Sequence, residues 1–112
     1  MEPSATLRAL SDVETGNRWA VGRAGERTPF QILPSVWREY SRVPMKRATP
    51  AEARRVALAI LDDRGRAFRR AHGRGPTAFE TYLLWHCPAR VDRPTTEDRR
   101  TAERFEQINN ER

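Results

Sequence analysis

Glu14 is the residue of this chain best placed to move a proton. It closes a segment in which Leu7, Leu10 and Val13 recur at helical spacing, and Gly16 and Asn17 follow at once. Both tolerate the left-handed conformation that ends helices, so the spacing predicts a helix over 5–14 with Glu14 in its last turn. The partly negative end of a helix disfavours a carboxylate and favours its protonated acid, more so where a ring such as Trp19 or Trp85 dries the site. A surface glutamate near a helix end is the other reading of the same residue. Gln31 stands between Phe30 and Ile32. In an alternating segment it points away from both, which suits an amide lining a groove and equally an exposed polar strand position. Trp85 and His86 stand near the end of another apolar segment; His86 reads either as a satisfied hydrogen-bonder or as a cleft-lining group.

These residues need elements to hold them. Residues 1–4 form a lead-in, with Ser4 as a candidate cap for the first helix. Gly16, Gly22, Gly25 and Pro29 mark 16–33 as loop, in which Arg18–Val21 and Phe30–Leu33 could pair as a small hairpin. Pro34 opens a short helix through Tyr40 with Trp37 as a core residue. Arg42–Ala48 is a basic loop. Thr49-Pro50-Ala51-Glu52 reads as a capping box, followed by a long helix with Ala53, Val56, Ala57, Ile60 and Leu61 as its apolar stripe, extended by Phe68 and stopped by Gly73. Thr77–Glu80 is a second capping box, opening a helix with Phe79, Tyr82, Leu83 and Leu84 that ends near Pro88. Pro94 and the Thr95/Thr96 caps start a last helix with Ala102, Phe105 and Ile108 inside. The expected fold is mostly α, about five helices with at most a small β-hairpin in the 16–33 region, in one domain over 1–112.

With 112 residues, 38% hydrophobic and 32% charged, the chain can bury one modest core beneath a very polar surface. No stretch approaches the roughly 20 apolar residues of a membrane span. The net charge of +6, almost all of it arginine, implies an anionic partner or a solvated surface. The run Arg64, Arg66, Arg69, Arg70, His72 and Arg74 suits a helix C-terminus and lacks interleaved aromatics, which disfavours nucleic acid. Cys87 is the only cysteine and reads as a small buried filler. With two histidines and no Cys/His cluster, no metal and no cofactor is expected. Asp12 shares the helix of Glu14 and Asp62-Asp63 lie within the long helix, so no second carboxylate stands out.

The order Glu14-Thr15-Gly16, Gly25, Pro29-Phe30-Gln31-Ile32-Leu33-Pro34 and Val36-Trp37 resembles the pattern E-S-x, loop, G-L-M-Q-(I/V)-x-P-x-x-(W/T). That pattern belongs to the soluble lytic transglycosylase catalytic domain and its goose-type-lysozyme-like relatives, with Thr28-Pro29-Phe30 replacing Gly-Leu-Met. Tyr82-Leu83-Leu84-Trp85-His86-Cys87-Pro88-Ala89-Arg90-Val91 resembles the family's A-Y-N-A-G-P-x-x-V segment, its tyrosine and asparagine falling on Trp85 and His86 across a one-residue gap. The resemblance implies a short, divergent lysozyme-like domain of bacterial type that cleaves the β-1,4 bond between N-acetylmuramic acid and N-acetylglucosamine in peptidoglycan. Glu14 would be the single general acid and then base. Gln31, Tyr82, Trp85 and His86 would bind the glycan strand.

A monomer is expected, acting in the periplasm or outside the cell if a leader has been removed; no signal peptide is visible in the chain. The alternative is a lysozyme-like module of weak or no activity that binds the cell wall or another anionic partner such as nucleic acid.

Overall fold

The computed structural model describes residues 3–16, 22 and 25–111. Five α-helices carry the fold: α1 (Pro3–Thr15), α2 (Pro34–Tyr40), α3 (Pro50–His72), α4 (Ala78–His86) and α5 (Thr96–Asn110). Short 3-10 turns at Met45–Arg47 and Pro88–Arg90 punctuate the connections. The mostly α architecture agrees with the apolar spacing in every segment.

Helix ends follow local chemistry. Gly16 at φ 65° terminates α1, its N–H donating to the Asp12 carbonyl. Gly73 at φ 73° does the same for α3 through the Arg69 carbonyl. Glycine meets no Cβ penalty in that left-handed region. Thr77 with Glu80, and Thr95 with Asp98, form reciprocal capping boxes on α4 and α5. At α3 the box is half made. The Thr49 hydroxyl accepts the Glu52 N–H, but the Glu52 carboxylate turns to Arg55 and the Ser41 hydroxyl instead of back to the cap. A charged partner outcompetes a neutral backbone amide for a carboxylate. At the chain start α1 takes in Pro3 and Ser4, so Ser4 lies within the helix rather than capping it, and the lead-in is shorter than expected.

The expected hairpin sets Phe30–Leu33 against Arg18–Val21. Arg18–Val21 and Trp19 lie outside the described residues. Among the described residues Ile32 bridges Arg27, each N–H donating to the other's carbonyl at 2.9 and 3.1 Å. Thr28–Gln31 closes a turn, with Gln31 N–H donating to the Thr28 carbonyl. Thr28 and Gln31 both have positive φ, 72° and 55°. Gln31 is therefore a turn residue, not a strand residue. The alternating burial of Phe30, Gln31 and Ile32 comes from that turn.

α4 sits deepest, with Thr81, Tyr82, Leu83, Leu84 and Trp85 all buried. It packs against α5 and α3, while α1 packs on α5 and α3, and α2 on α3. Trp37, Tyr82 and Phe105 are the largest fully buried side chains. The Phe105 ring lies 5.6 Å from the ring of Tyr82 and backs it from α5. Cys87 is buried as a small filler. Truncating Phe105→Ala is expected to cost about 3–5 kcal/mol in urea unfolding. A loss under 1 kcal/mol would show that α5 does not support α4.

Candidate functional site

Helix periodicity brings the catalytic candidates together. Tyr82 and His86 are four residues apart on α4, so they share a face, and their rings stack at 5.5 Å with 15° between planes. Both reach the same atom at the end of α1. The Tyr82 hydroxyl donates to Glu14 Oε1 at 3.2 Å, and His86 Nδ1 lies 3.5 Å from that oxygen. No described donor reaches Glu14 Oε2. The Glu14 side chain is 14% exposed and that of His86 46%.

Electrostatics follow from this geometry. The bond to Glu14 raises the His86 pKa, against a smaller opposite effect of burial. Burial, then the charge of Glu14, pushes the Tyr82 hydroxyl well above the usual phenol range, so it remains a proton donor.

Glu14 opens on a cleft of about 140 Å³, lined also by Glu26, Gln31, Ile32, Leu33, Val36, Ile60, Arg64, Trp85 and His86. Gln31 is held by its own turn, its Nε2 donating to the Thr28 carbonyl at 3.0 Å. Its Oε1 and Glu26 Oε1 converge on Gly22, where a Cβ would stand 2.8 and 2.7 Å from them. The absence of a side chain at 22 leaves room for both heads. Trp85 lines the cleft but is 8% exposed and spends its indole N–H on the Phe30 carbonyl at 3.2 Å. Tyr82 is 2% exposed and meets the site through its hydroxyl on Glu14 rather than as a wall of the cleft.

Two cleft residues escape the sequence reading. Glu26 is a second carboxylate, where none stood out in the sequence. It sits in the glycine-bearing segment, with no periodicity to mark which way it faces. Arg64 had been grouped with the basic end of α3, yet it lies eight residues before that end. Its Nη1 donates to both the Leu84 and Trp85 carbonyls at 2.9 Å, satisfying two groups that α4 leaves open at its C-terminus. Burial lowers its pKa, but a guanidinium remains charged. The only sequence signal was an arginine one turn past the apolar Ile60-Leu61 pair.

Other hollows lack this chemistry. The one between α3 and α4, about 530 Å³, is lined by Thr6, Leu58, Leu61, Thr81 and Leu84, with Asp62 as its only titratable group. No set of three or more His, Cys, Asp or Glu side chains among the described residues could hold a metal ion. No described helix is long and apolar enough to cross a membrane. No family model, curated protein or solved structure matches the chain.

The Glu14–His86 contact has a testable sign. A histidine pKa raised by folding contributes stability that is fully present below the ordinary histidine range and is lost as pH rises through the folded value. Glu14→Gln is expected to move the His86 ring-proton NMR midpoint downward by removing the charge beside it. An unmoved midpoint would show that Glu14 does not set it.

Proposed function

We propose that the chain is a peptidoglycan-cleaving glycosidase, with Glu14 as general acid on the bond between N-acetylmuramic acid and N-acetylglucosamine. The observation that carries the reading is a mostly buried carboxyl group at a helix end, held at one oxygen by Tyr82 and His86 while no described donor reaches the other, at the edge of a polar cleft. Glycosidic cleavage needs a proton on the leaving oxygen, and such a carboxyl group suits that task. The family resemblance around Glu14 and Gln31 points the same way, and a lysozyme-like reading of the five helices belongs to the same proposal. A periplasmic or extracellular site of action follows from the substrate.

In this reading Glu14 Oε2 gives its proton to the leaving oxygen of N-acetylglucosamine as the bond from muramic acid C1 breaks. Tyr82 and His86 stabilise the carboxylate left behind. Positive charge develops at C1, and Glu26 on the cleft wall stabilises it. A water adds to C1 and loses its proton to Glu26, giving a reducing-end product; Glu26 then releases that proton to solvent, and Glu14 regains one by way of the half-exposed His86. Two carboxylates lining one cleft suit this hydrolytic course, since paired carboxylates are what water-consuming glycosidases use. Attack by the muramic 6-hydroxyl needs no added water and yields the 1,6-anhydro product of a lytic transglycosylase.

The test is mass spectrometry of purified sacculi digested by wild type, Glu14→Gln and Glu26→Gln. Reducing-end muropeptides from wild type, reduced about a hundredfold or more in each variant, are expected. Anhydro products that survive Glu26→Gln but not Glu14→Gln would mark a transglycosylase with Glu14 as its one acid. Unchanged turnover by Glu14→Gln would remove the enzymatic reading.

A further inference from the structure

Behind the cleft wall lies a second hollow of about 570 Å³, lined by Gly25, Arg27, Pro34, Trp37, Arg38, Arg42, Val43, Met45 and Lys46 among others. Its charge is one-sided. Among the described residues Arg27, Arg38, Arg42 and Lys46 line it, and no carboxylate does. None of these four cations has a carboxylate partner among the described residues. Four like charges gathered in a concavity repel one another, and a bound anion relieves that repulsion.

The groove is also firm. The Trp37 indole N–H donates to the Val43 carbonyl at 2.7 Å, the Val43 N–H to the Ser41 hydroxyl, and that hydroxyl to Glu52 on α3. These bonds fix the 41–45 segment against α2. Leu33 and Val43 are the large hydrophobic residues left exposed in the described chain, one on the ridge and the other in the groove. The surface thus presents cations together with small apolar patches.

The ridge is one segment thick. Glu26, Leu33 and Val36 face the cleft, while their chain neighbours Arg27, Pro34 and Trp37 face the groove. A glycan strand in the cleft carries short peptides on its muramic acid residues. Such a stem of four residues extends up to about 14 Å, enough to cross a single ridge. It bears free carboxylates and small aliphatic side chains. Nucleic acid fits less well, because Trp37, the one aromatic ring lining the groove among the described residues, is 1% exposed and offers no face for base stacking.

We propose that this groove binds the carboxylate-bearing peptide stem of peptidoglycan and selects stem-bearing over bare glycan. The proposal rests on the function inferred above for the neighbouring cleft. Electrostatic complementarity of this kind contributes selectivity more than raw affinity, and salt weakens it.

The experiment uses the full chain and the triple variant Arg38→Glu, Arg42→Glu and Lys46→Glu; all three side chains are exposed, and matching melting curves establish that the variant folds. The probes are a synthetic four-residue stem with free carboxylates, the same stem with its carboxylates amidated, and glycan strands with and without stems. Wild type is expected to bind the charged stem about tenfold more tightly than either the amidated stem binds wild type or the charged stem binds the variant, the fold-change that a few exposed ion contacts give together. The difference should shrink as salt rises. Cleavage of bare glycan should be equal in the two proteins, with the advantage of stem-bearing glycan lost in the variant. Equal binding of charged and amidated stems would overturn the groove assignment, as would single-stranded DNA binding that the variant loses while stem binding stays undetectable. Stem binding without glycan cleavage would remove the enzymatic reading and leave the groove standing; cleavage indifferent to stems would do the reverse.

Discussion

Two hydrogen bonds to consecutive carbonyls of one tight turn set the geometry of the cleft. The Thr15 hydroxyl donates to the Pro29 carbonyl at 3.0 Å, and the Trp85 indole N–H to the Phe30 carbonyl at 3.2 Å. Each tie lies next to a cleft residue: Thr15 beside Glu14, Trp85 beside His86, and Phe30 beside Gln31. Three elements distant in sequence are thus pinned through the neighbours of the groups they present. The turn itself is strained for this purpose. Thr28 is β-branched, fully buried and at φ 72°, a conformation that costs such residues roughly 1–3 kcal/mol unless the surroundings hold it. Here its hydroxyl accepts the Phe30 N–H and its carbonyl takes both the backbone and side-chain N–H of Gln31.

The pinning works because α4 cannot shift. Its inner face is packed by α3 and α5, with Phe105 behind Tyr82. Its C-terminal carbonyls are held by Arg64 from α3. Just beyond it, Arg90 grips Asp98 through two nitrogens, at 2.9 and 3.1 Å, and Asp98 also caps α5. That guanidinium and the cap hold the Asp98 carboxyl far below the usual carboxylate range. The helix bearing two of the three groups at Glu14's end of the cleft is therefore fastened to two other helices at its C-terminal end, the end that carries His86.

How much of this was legible in the sequence depended on whether the signal was local. Helix placement was, because apolar spacing, threonine caps and Gly73 act over a few residues. Glu14 was legible as a helix-end residue since that signal is also local, whereas Gln31 read as an alternating strand position and stands in a turn. The hydroxyl on Glu14 was harder: the A-Y-N resemblance directed attention to Trp85 and His86, one turn away, while Tyr82 was expected to bind the glycan strand and is instead a buried ring that reaches the site by its oxygen alone. Glu26 and Arg64 were not legible. Their roles arise from where Gly22 leaves space and from how α3 crosses the end of α4, which no short window of sequence encodes. Gln31 kept its orientation for a different reason than alternation supplies, since a left-handed turn and a strand can bury the same two neighbours.

The lone cysteine has a consequence for chemistry in an oxidising medium. Cys87 follows His86, its backbone N–H donates to the Leu83 carbonyl, and its side chain is 6% exposed. Burial pushes its thiol pKa up, so little reactive thiolate forms at neutral pH. Two copies meeting outside a reducing environment therefore do not cross-link while the fold is closed. Modification of the sulfur requires the end of α4 to part from its surroundings, so the rate at which a thiol reagent reacts with the native protein is a direct clock for the opening of the segment that carries His86.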